Sequence, residues 1–378
     1  MKITRNILVV GCLLLGVYLF WSHSGRSAPE ASVNLKLAEI QSIGERSDRG
    51  NVVGFQTYMM LDDYMSRKNF YRKIDGFLKE ADENGFIHAK TVVLFPEYIG
   101  TWLLLAGEKQ SLITKSTMEK AMVTMTLSNL FSFVKNLILS PEVDDRVIYS
   151  LMRMKSETMA EIYHDVFSSL AKKYQVTIIA GSIVLSEPKI IDNKIKISDG
   201  RLYNVSVVYK PDGTPFENVV RKVYPINTEL PFTAKGVAED ISVFDLPIGK
   251  TGVLICADSW YPTSYDVLEK QNVEFIAVPS FLPPEFGFKT IWRGYNFGAK
   301  AEGDEDLNDI GNMTCRDAWL KYSLAGRIKT AGAKNGFNVF LRGDFLDMGS
   351  DGASIIVKDG NTVTGKLING SSMINLWL

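Results

Sequence analysis

The chain contains few of the residues that build disulfide frameworks or metal centres. Its 378 residues include three cysteines and three histidines. Cys12 lies in an N-terminal apolar run, and His23, His88 and His164 are too scattered to form a metal-ligand spacing. The sequence therefore predicts no metal site. It favours a fold held by a hydrophobic core, for which the 46% of hydrophobic residues provide ample material.

An excess of charge of either sign is also missing. Forty-two basic and 43 acidic residues give a formal net charge of -1, which gives no reason to expect binding to nucleic acid. The acidic run at residues 304–309 resembles a calcium loop. It lacks the glycine at the sixth position and the terminal bidentate glutamate, so we expect no calcium there.

One long apolar run is present, at residues 7–21, with Lys2 and Arg5 before it. As a helix this run would be about 22 Å long, short of a hydrocarbon core of about 30 Å but close when Trp21 lies at the interface. We predict that residues 1–26 form an uncleaved membrane anchor. A cleaved signal peptide is the second interpretation, and lipidation of Cys12 is the third. In the first two cases the following chain faces the periplasm or the extracellular space.

Three strands are predicted to end at a residue whose side chain could act in catalysis. An apolar run ends at Pro96 and is followed by Glu97, a second strand ends at Lys222, and a third delivers Cys256. In layered α/β proteins ligands bind at this edge of the sheet. The alternative for Cys256 is a small buried hydrophobe, and Glu97 and Lys222 could be surface ends of strands.

The contexts of these residues resemble the nitrilase, or carbon-nitrogen hydrolase, superfamily. Its Glu-Lys-Cys triad is matched in order by Phe95-Pro96-Glu97, Arg221-Lys222 and Gly252-Val-Leu-Ile-Cys256-Ala-Asp258. Further similar segments occur at residues 51–56, 229–236, 325–340 and 349–360. Lys334 stands where the family usually has a glutamate, which leaves the detail of that helix open.

The resemblance implies an α/β fold, a four-layer α-β-β-α sandwich over residues 51–378 behind a tether at 27–50. A helical insertion at about 102–152 and a loop insertion at about 283–318 would interrupt it. It also implies that Cys256 is the nucleophile, that Glu97 moves protons and that Lys222 and the N–H of Ala257 stabilise the oxyanion. Glu229 would position the lysine. No cofactor is implied, and a disulfide to Cys315 would consume the nucleophile, so none is expected.

Cys256-Ala257-Asp258 differs from the Cys-Trp-Glu that is typical of true nitrilases, which favours hydrolysis of an amide to an acid plus ammonia or an amine. We predict a small-molecule amide substrate, with Trp292 and Tyr295 at its entrance. One alternative is an N-acyltransferase that passes the acyl group to an amine. The other is a catalytically silent binding protein with the same fold.

Two helices, at residues 63–84 and 159–174, are predicted to cover one sheet. A third, at 118–139, is apolar around much of its circumference and needs a partner on more than one face. It could be a lid, a contact in a homo-oligomer, or a surface beside the anchor that touches the bilayer. Packing by a second copy is the simplest of these, so we predict a homo-oligomer.

Residues 202–222 form a predicted hairpin around Asp212-Gly213. Asn204-Val-Ser206 within it is one of three glycosylation sequons, which would matter only in a eukaryotic secretory setting.

Overall fold

Two stacked β-sheets form the centre of the computed structural model, which describes residues 2–295 and 304–378. The strands are β1 (Leu37–Ile43), β2 (Asn51–Gln56), β3 (Tyr58–Met60), β4 (Thr91–Leu94), β5 (Thr177–Ile179), β6 (Ile183–Ser186), β7 (Lys189–Ile191), β8 (Lys194–Lys196), β9 (Leu202–Ser206), β10 (Val208–Tyr209), β11 (Val220–Arg221), β12 (Val243–Leu246), β13 (Gly249–Val253), β14 (Phe275–Phe281), β15 (Asn335–Asp344), β16 (Ile355–Lys358), β17 (Asn361–Thr364) and β18 (Ser371–Trp377). The helices are α1 (Lys2–His23), α2 (Arg67–Glu83), α3 (Met118–Ser128), α4 (Leu130–Ile138), α5 (Arg146–Tyr174), α6 (Pro262–Lys270), α7 (Cys315–Tyr322) and α8 (Leu324–Arg327).

The first sheet has the strand order β1-β18-β2-β4-β5-β10, and the second has the order β12-β13-β14-β15-β16-β17, with β3 beside the end of β15. In each sheet the central strands, β2-β4-β5 and β13-β14-β15, run parallel. Their carboxyl ends therefore meet at one edge. Strands β6, β9 and β11 form a small separate sheet, and β7 pairs with β8.

The alternation of side chains along the strands produces four layers. In β2 and β4, Val52 and Val92 pack between the two sheets, whereas Val53 and Val93 pack on the side of α2 and α5. On the second sheet, Ile276 joins a core shared with α6 and α8. The order is thus helices, sheet, sheet, helices, which confirms the predicted α-β-β-α sandwich and its N-terminal apolar helix.

The sheet-covering helices differ in length from the sequence prediction. Helix α2 begins after Ser66, whose hydroxyl accepts the N–H of Asn69, close to the predicted start. Helix α5 begins thirteen residues earlier than predicted, at Arg146 instead of residue 159. Asp145 is its N-cap and accepts the N–H groups of Val147 and Ile148. This cap allows one continuous helix of 29 residues where a shorter one was expected.

The prediction of a single helix over residues 118–139 is wrong. The chain bends by 95° between α3 and α4. At the bend, the side chain of Asn129 donates to Glu108 at 2.8 Å and to the carbonyl of Met125 at 2.9 Å. Arg26 donates to the Asn129 side chain at 3.0 Å. These polar contacts hold Asn129 out of helical conformation, so the helix stops there.

Residues 27–50 are not the tether that the sequence suggested. Strand β1 pairs in parallel with β18 at the edge of the first sheet. Ahead of it, the N–H of Ala31 donates to Asn69 at 3.2 Å, and the ammonium of Lys73 donates to the carbonyl of Asn34 at 2.6 Å. The segment is therefore packed against the domain. As an edge strand, β1 is mostly exposed or half-buried, so its sequence has a weak apolar pattern.

Helix α1 extends beyond the apolar run that identified it. Its stretch Thr4–His23 is long and apolar enough to cross a membrane, and only 6% of its apolar window is buried. Twenty helical residues are about 30 Å long, which matches the hydrocarbon thickness of a bilayer. A signal sequence has the same properties.

Candidate active site

Glu97, Lys222 and Glu229 meet at the edge where the parallel strands end. The ammonium of Lys222 lies 2.8 Å from Oε1 of Glu97 and 2.6 Å from Oε2 of Glu229. All three side chains are almost completely buried. A lysine held between two carboxylates in this way stays charged and fixed in position.

Glu97 is positioned by the tight turn after β4. Gly181 has a φ of +68, and a Cβ at this position would lie 2.0 Å from the carbonyl oxygen of Pro96. Only glycine allows the two chain segments to approach so closely. Oε2 of Glu97 accepts the N–H of Phe281, at the end of β14, at 2.9 Å. The carboxylate therefore connects the edges of both sheets.

The predicted hairpin around Asp212-Gly213 supplies Lys222. The N–H of Gly213 donates to the carbonyl of Lys210 at 2.9 Å, and β11 returns antiparallel to β9. Just beyond β11, the N–H of Lys222 donates to the carbonyl of Asn204 at 2.9 Å. The lysine is thus held at its backbone by the neighbouring strand and at its side chain by two carboxylates.

Asn204 belongs to this cluster, and apart from the sequon nothing in the sequence pointed to it. Its side-chain amide donates to Oε1 of Glu97 at 2.9 Å and to Oε1 of Glu229 at 3.1 Å. The side chain is fully buried, so this sequon offers no attachment point for a glycan. One asparagine inside a short strand resembles any polar strand residue, and only the fold brings it to the two carboxylates.

Tyr98 and the backbone of Ile226 complete the surroundings of Glu229. The hydroxyl of Tyr98 donates to Oε1 of Glu229, and the N–H of Ile226 donates to Oε2 at 2.8 Å. Tyr98 was not predicted from the sequence, although it directly follows Glu97. Glu229 therefore accepts hydrogen bonds on both oxygens, as a residue that positions others is expected to do.

Cys256 follows β13 and opens a short 3-10 helix, Cys256–Trp260. It has a φ of +49, a left-handed conformation that is uncommon for residues other than glycine. Its thiol lies 3.6 Å from the carbonyl oxygen of Phe281. The N–H of Ala257 lies in the first turn of this helix, where backbone donors have no partner within the helix.

Asp258 connects the Cys256 turn to the Lys222 segment. Its carboxylate accepts the N–H groups of Val223 at 2.9 Å, Tyr224 at 2.8 Å and Ile255 at 3.2 Å. Burial raises the pKa of Asp258 to about 7, against the opposing effect of these donors and of Lys222. The residue thus fixes the nucleophile candidate relative to the lysine.

Burial and charge set the protonation states of the cluster. Burial raises the pKa of Glu97 above its ordinary value, although Lys222 opposes this effect. Burial and the neighbouring Glu97 raise the pKa of the Cys256 thiol well above the usual range. Burial alone would lower the pKa of Lys222, but Glu229 and Glu97 outweigh it and raise that pKa. For Glu229, burial is outweighed by Lys222 and the hydrogen bonds, and its pKa is lowered. The resting cluster therefore holds a neutral thiol beside an ammonium.

An aromatic cavity opens beside Cys256. Its volume is about 70 Å³. Cys256, Ala257, Trp292 and Tyr295 all line it, as do Ile226, Trp260, Tyr261, Phe281, Leu282, Pro283, Phe286, Gly294, Cys315 and Trp319. None of these lining residues carries a formal charge at neutral pH. Trp260, Tyr261, Trp319 and Cys315 were not predicted to lie here. Trp260 and Tyr261 follow Cys256 closely in the chain, whereas Cys315 and Trp319 come from the separate helix α7.

The acidic run forms ion pairs within the protein. Asp304 pairs with Arg327, and Asp309 lies 2.6 Å from the ammonium of Lys321. No group of three His, Cys, Asp or Glu side chains that could hold a metal ion occurs in the described ranges 2–295 and 304–378. Residues 296–303 of the predicted loop insertion lie outside those ranges.

Comparison with known proteins identifies a family and a fold. Residues 52–299 match the carbon-nitrogen hydrolase family. A stretch of 150 residues is 25% identical to the probable hydrolase YhcX of Bacillus subtilis (strain 168), covering 37% of this chain and 26% of that protein. The match thus spans about a quarter of that relative's length.

Solved structures of two relatives have the same fold. An amidase from Nesterenkonia sp. has a TM-score of 0.52 and 12% sequence identity, with 88% of this chain and 92% of the other covered. A carbon-nitrogen hydrolase from Helicobacter pylori G27 has a TM-score of 0.50 and 18% identity, with coverage of 86% and 88%. With the family match over most of the chain and the fold shared with these two proteins, this protein is a member of the carbon-nitrogen hydrolase family.

Proposed function

We propose that this protein hydrolyses the carbon-nitrogen bond of a small amide through a thioester on Cys256. One observation carries the proposal. The carbonyl oxygen of Phe281 lies 3.6 Å from the thiol of Cys256, and the N–H of Phe281 donates to Glu97 at 2.9 Å. A nucleophile and a proton acceptor thus contact the backbone of the same residue, and Lys222 bonds to the other oxygen of that acceptor.

The first half-reaction forms the thioester. Because the resting thiol is neutral, Sγ of Cys256 attacks the amide carbon as Glu97 takes its proton. Negative charge moves to the carbonyl oxygen, where the ammonium of Lys222 and the N–H of Ala257 stabilise it. Glu97 then gives the proton to the nitrogen, the C–N bond breaks, and ammonia or an amine leaves.

The second half-reaction restores the enzyme. Water attacks the thioester carbon while Glu97 takes one of its protons, and the same oxyanion contacts act again. When the C–S bond breaks, the acid leaves and Sγ recovers the proton from Glu97. Glu229 takes no part in bond formation, and it keeps Lys222 charged and in place through its 2.6 Å contact. Neither half-reaction requires a cofactor.

The lining of the cavity supports an apolar acyl group in the substrate. Trp260, Trp292 and Trp319 line the cavity. The ring centroid of Trp260 lies 6.3 Å from that of Trp292 and 4.9 Å from that of Trp319. Uncharged aromatic walls favour aliphatic or aromatic groups over charged ones. A variant of the similarly folded Nesterenkonia amidase has been solved in complex with butyramide, an amide with a short aliphatic chain.

We propose that residues 1–26 remain attached as a membrane anchor and that the hydrolase domain, residues 51–378, faces the periplasm or the extracellular space. The basic residues Lys2 and Arg5, ahead of the apolar run at residues 7–21, support this orientation. Homo-oligomerisation stays a prediction. It is tested by measuring the mass in solution of the detergent-solubilised protein.

The test is the intact mass of the full chain, in detergent, after brief exposure to formamide, butyramide and benzamide. We expect a mass gain equal to the acyl group for the wild type and for Cys12→Ser, and none for Cys256→Ala. Added hydroxylamine separates hydrolysis from acyl transfer, because a transferase yields hydroxamate in preference to acid. Absence of both adduct and released ammonia across a broad amide panel would overturn the proposal and favour a binding role.

A further inference from the structure

We propose that the bent helix pair α3–α4 lies in the lipid–water interface beside α1 and seats the hydrolase domain directly on the bilayer. This inference rests on the proposed retention of α1 as an anchor. It does not depend on the proposed reaction. Three features of the molecule support it: the contact between the anchor and the pair, the depth of that contact, and the apolar face that the pair presents.

The end of α1 is attached to the junction of the two helices. The hydroxyl of Tyr18 donates to the carbonyl of Leu127 at 3.2 Å and accepts the N–H of Leu130 at 3.1 Å. The Tyr18 ring also contacts the Phe131 ring edge to face, with centroids 5.4 Å apart. The α3–α4 junction therefore lies against the lipid-facing part of the anchor.

Four further contacts fix the point where α1 leaves the membrane. Arg26 pairs with the buried Glu108 at 3.1 Å and donates to the carbonyl of Ser128 at 2.9 Å. The ammonium of Lys109 donates to the carbonyls of Trp21 and Ser24. The domain is thus held close to the bilayer, with no free linker between anchor and body.

The position of Tyr18 sets the depth of the junction. Trp21 is the residue expected at the lipid–water boundary, and Tyr18 precedes it by three residues, or about 4.5 Å along the helix axis. Because Phe131 contacts Tyr18, the junction reaches the level of the headgroups and the first acyl carbons. An interfacial helix buries its apolar face about 5–10 Å into this zone.

The pair presents an apolar face that nothing in the described chain covers. Its side chains are exposed by between 36% and 72%: Val123, Leu127, Leu130, Phe131, Val134, Ile138 and Leu139. In α4, Phe131, Val134 and Ile138 have the spacing of one helical face. With 11 and 9 residues, α3 and α4 are about 17 Å and 14 Å long, too short to cross a bilayer. An interfacial position fits these lengths.

Charge also favours a lipid surface over a second copy of the chain. Helices α3 and α4 contain two lysines, Lys120 and Lys135, and one acidic residue, Glu119. Lysines at the rim of an apolar face attract anionic headgroups. The face is also continuous with α1, whose residues are themselves placed in lipid, and a protein partner there would have to compete with lipid for the same space.

The test places an environment-sensitive fluorophore on the full chain in vesicles of phosphatidylcholine and phosphatidylglycerol. In a background without native cysteines (Cys12→Ser, Cys256→Ala and Cys315→Ser), single cysteines replace Phe131, Ile138 and, as control, Val237. Val237 is 54% exposed and precedes a short helix that packs against α6, in the opposite outer layer. Intact mass first establishes that α1 is retained, and circular dichroism that each variant is folded.

We expect lipids with a spin label near the headgroup to quench the probe at 131 and 138 about twofold more than at 237, as for an interfacial helix. Equal quenching at the three sites, with iodide reaching all of them, would overturn the inference. Protection of 131 and 138 from iodide without lipid quenching would overturn it in favour of a second copy.

Discussion

Replacement of Asn204 by leucine tests the cluster through a residue that takes no part in the chemistry. Asn204→Leu keeps the approximate volume and removes the amide that donates to Glu97 at 2.9 Å and Glu229 at 3.1 Å. Hydrogen bonds to charged groups contribute about 1.5–3 kcal/mol each, so the lower values give a loss of about 3 kcal/mol in unfolding free energy. Urea unfolding in detergent, followed by circular dichroism, measures this loss.

The same substitution changes the pH dependence of the reaction. Glu97 loses a donor to its charged form, so its pKa, already raised by burial, rises further. The acid limb is the part of the pH profile where kcat/KM falls as the pH is lowered. If that bond contributes about 1.5 kcal/mol, the acid limb moves to a pH that is higher by roughly one unit. The limb is measured with butyramide as substrate.

Asn338 provides the matched control. It is equally buried, and its amide donates to the carbonyl of Val278 and the hydroxyl of Ser280, both at 2.7 Å. Both acceptors are neutral, so Asn338→Leu should cost about 1–2 kcal/mol and leave the acid limb in place. If the two variants show the same stability and the same limb, the role given to Asn204 is refuted.

Three further predictions concern the site. Lys222→Met leaves Glu97 and Glu229 buried without a cation and should lower the unfolding free energy by about 3–5 kcal/mol, measured by the denaturant midpoint. In the wild type, kcat/KM should fall as pH drops through the raised pKa of Glu97, because the base becomes protonated, at a pH above the ordinary glutamate value of about 4.3. Trp292→Ala should reduce kcat/KM for benzamide by about 10–200-fold and for formamide much less, measured by competition between the two amides.

Each of these has an outcome that contradicts it. An unchanged midpoint in Lys222→Met would mean that the two carboxylates are protonated or reach water. An acid limb at or below the ordinary glutamate value would show that Glu97 is not the titrating base. Equal losses for both amides in Trp292→Ala would place this side chain outside the acyl-binding wall.

The parts of the site that the sequence predicted are those with a strong local signal. Glu97, Lys222 and Cys256 each end an apolar run, and a run followed by proline or polar residues is readable without a structure. Asn204 and Tyr98 have no such signal. Their importance arises from contacts with Glu229, which is 131 positions from Tyr98 in the chain. Long-range contacts of this kind depend on the completed fold.

The errors in the fold have equally specific causes. The apolar residues of α3 and α4 continue in helical spacing past Asn129, so the pattern alone predicts one helix. The break requires Glu108 and Arg26, which are distant in sequence. Strand β1 was missed because an edge strand buries little, and its partner β18 lies more than 300 residues later.

The pairing of β1 has a consequence for the order of folding during synthesis. In the first sheet β18 lies between β1 and β2, and it bonds to both. Strand β1 has no partner in this sheet, and β2 lacks one of its two, until residues 371–377 have been made, so this side of the sheet stays incomplete until then. Until then β1 stays unpaired, a state compatible with threading through a translocation channel.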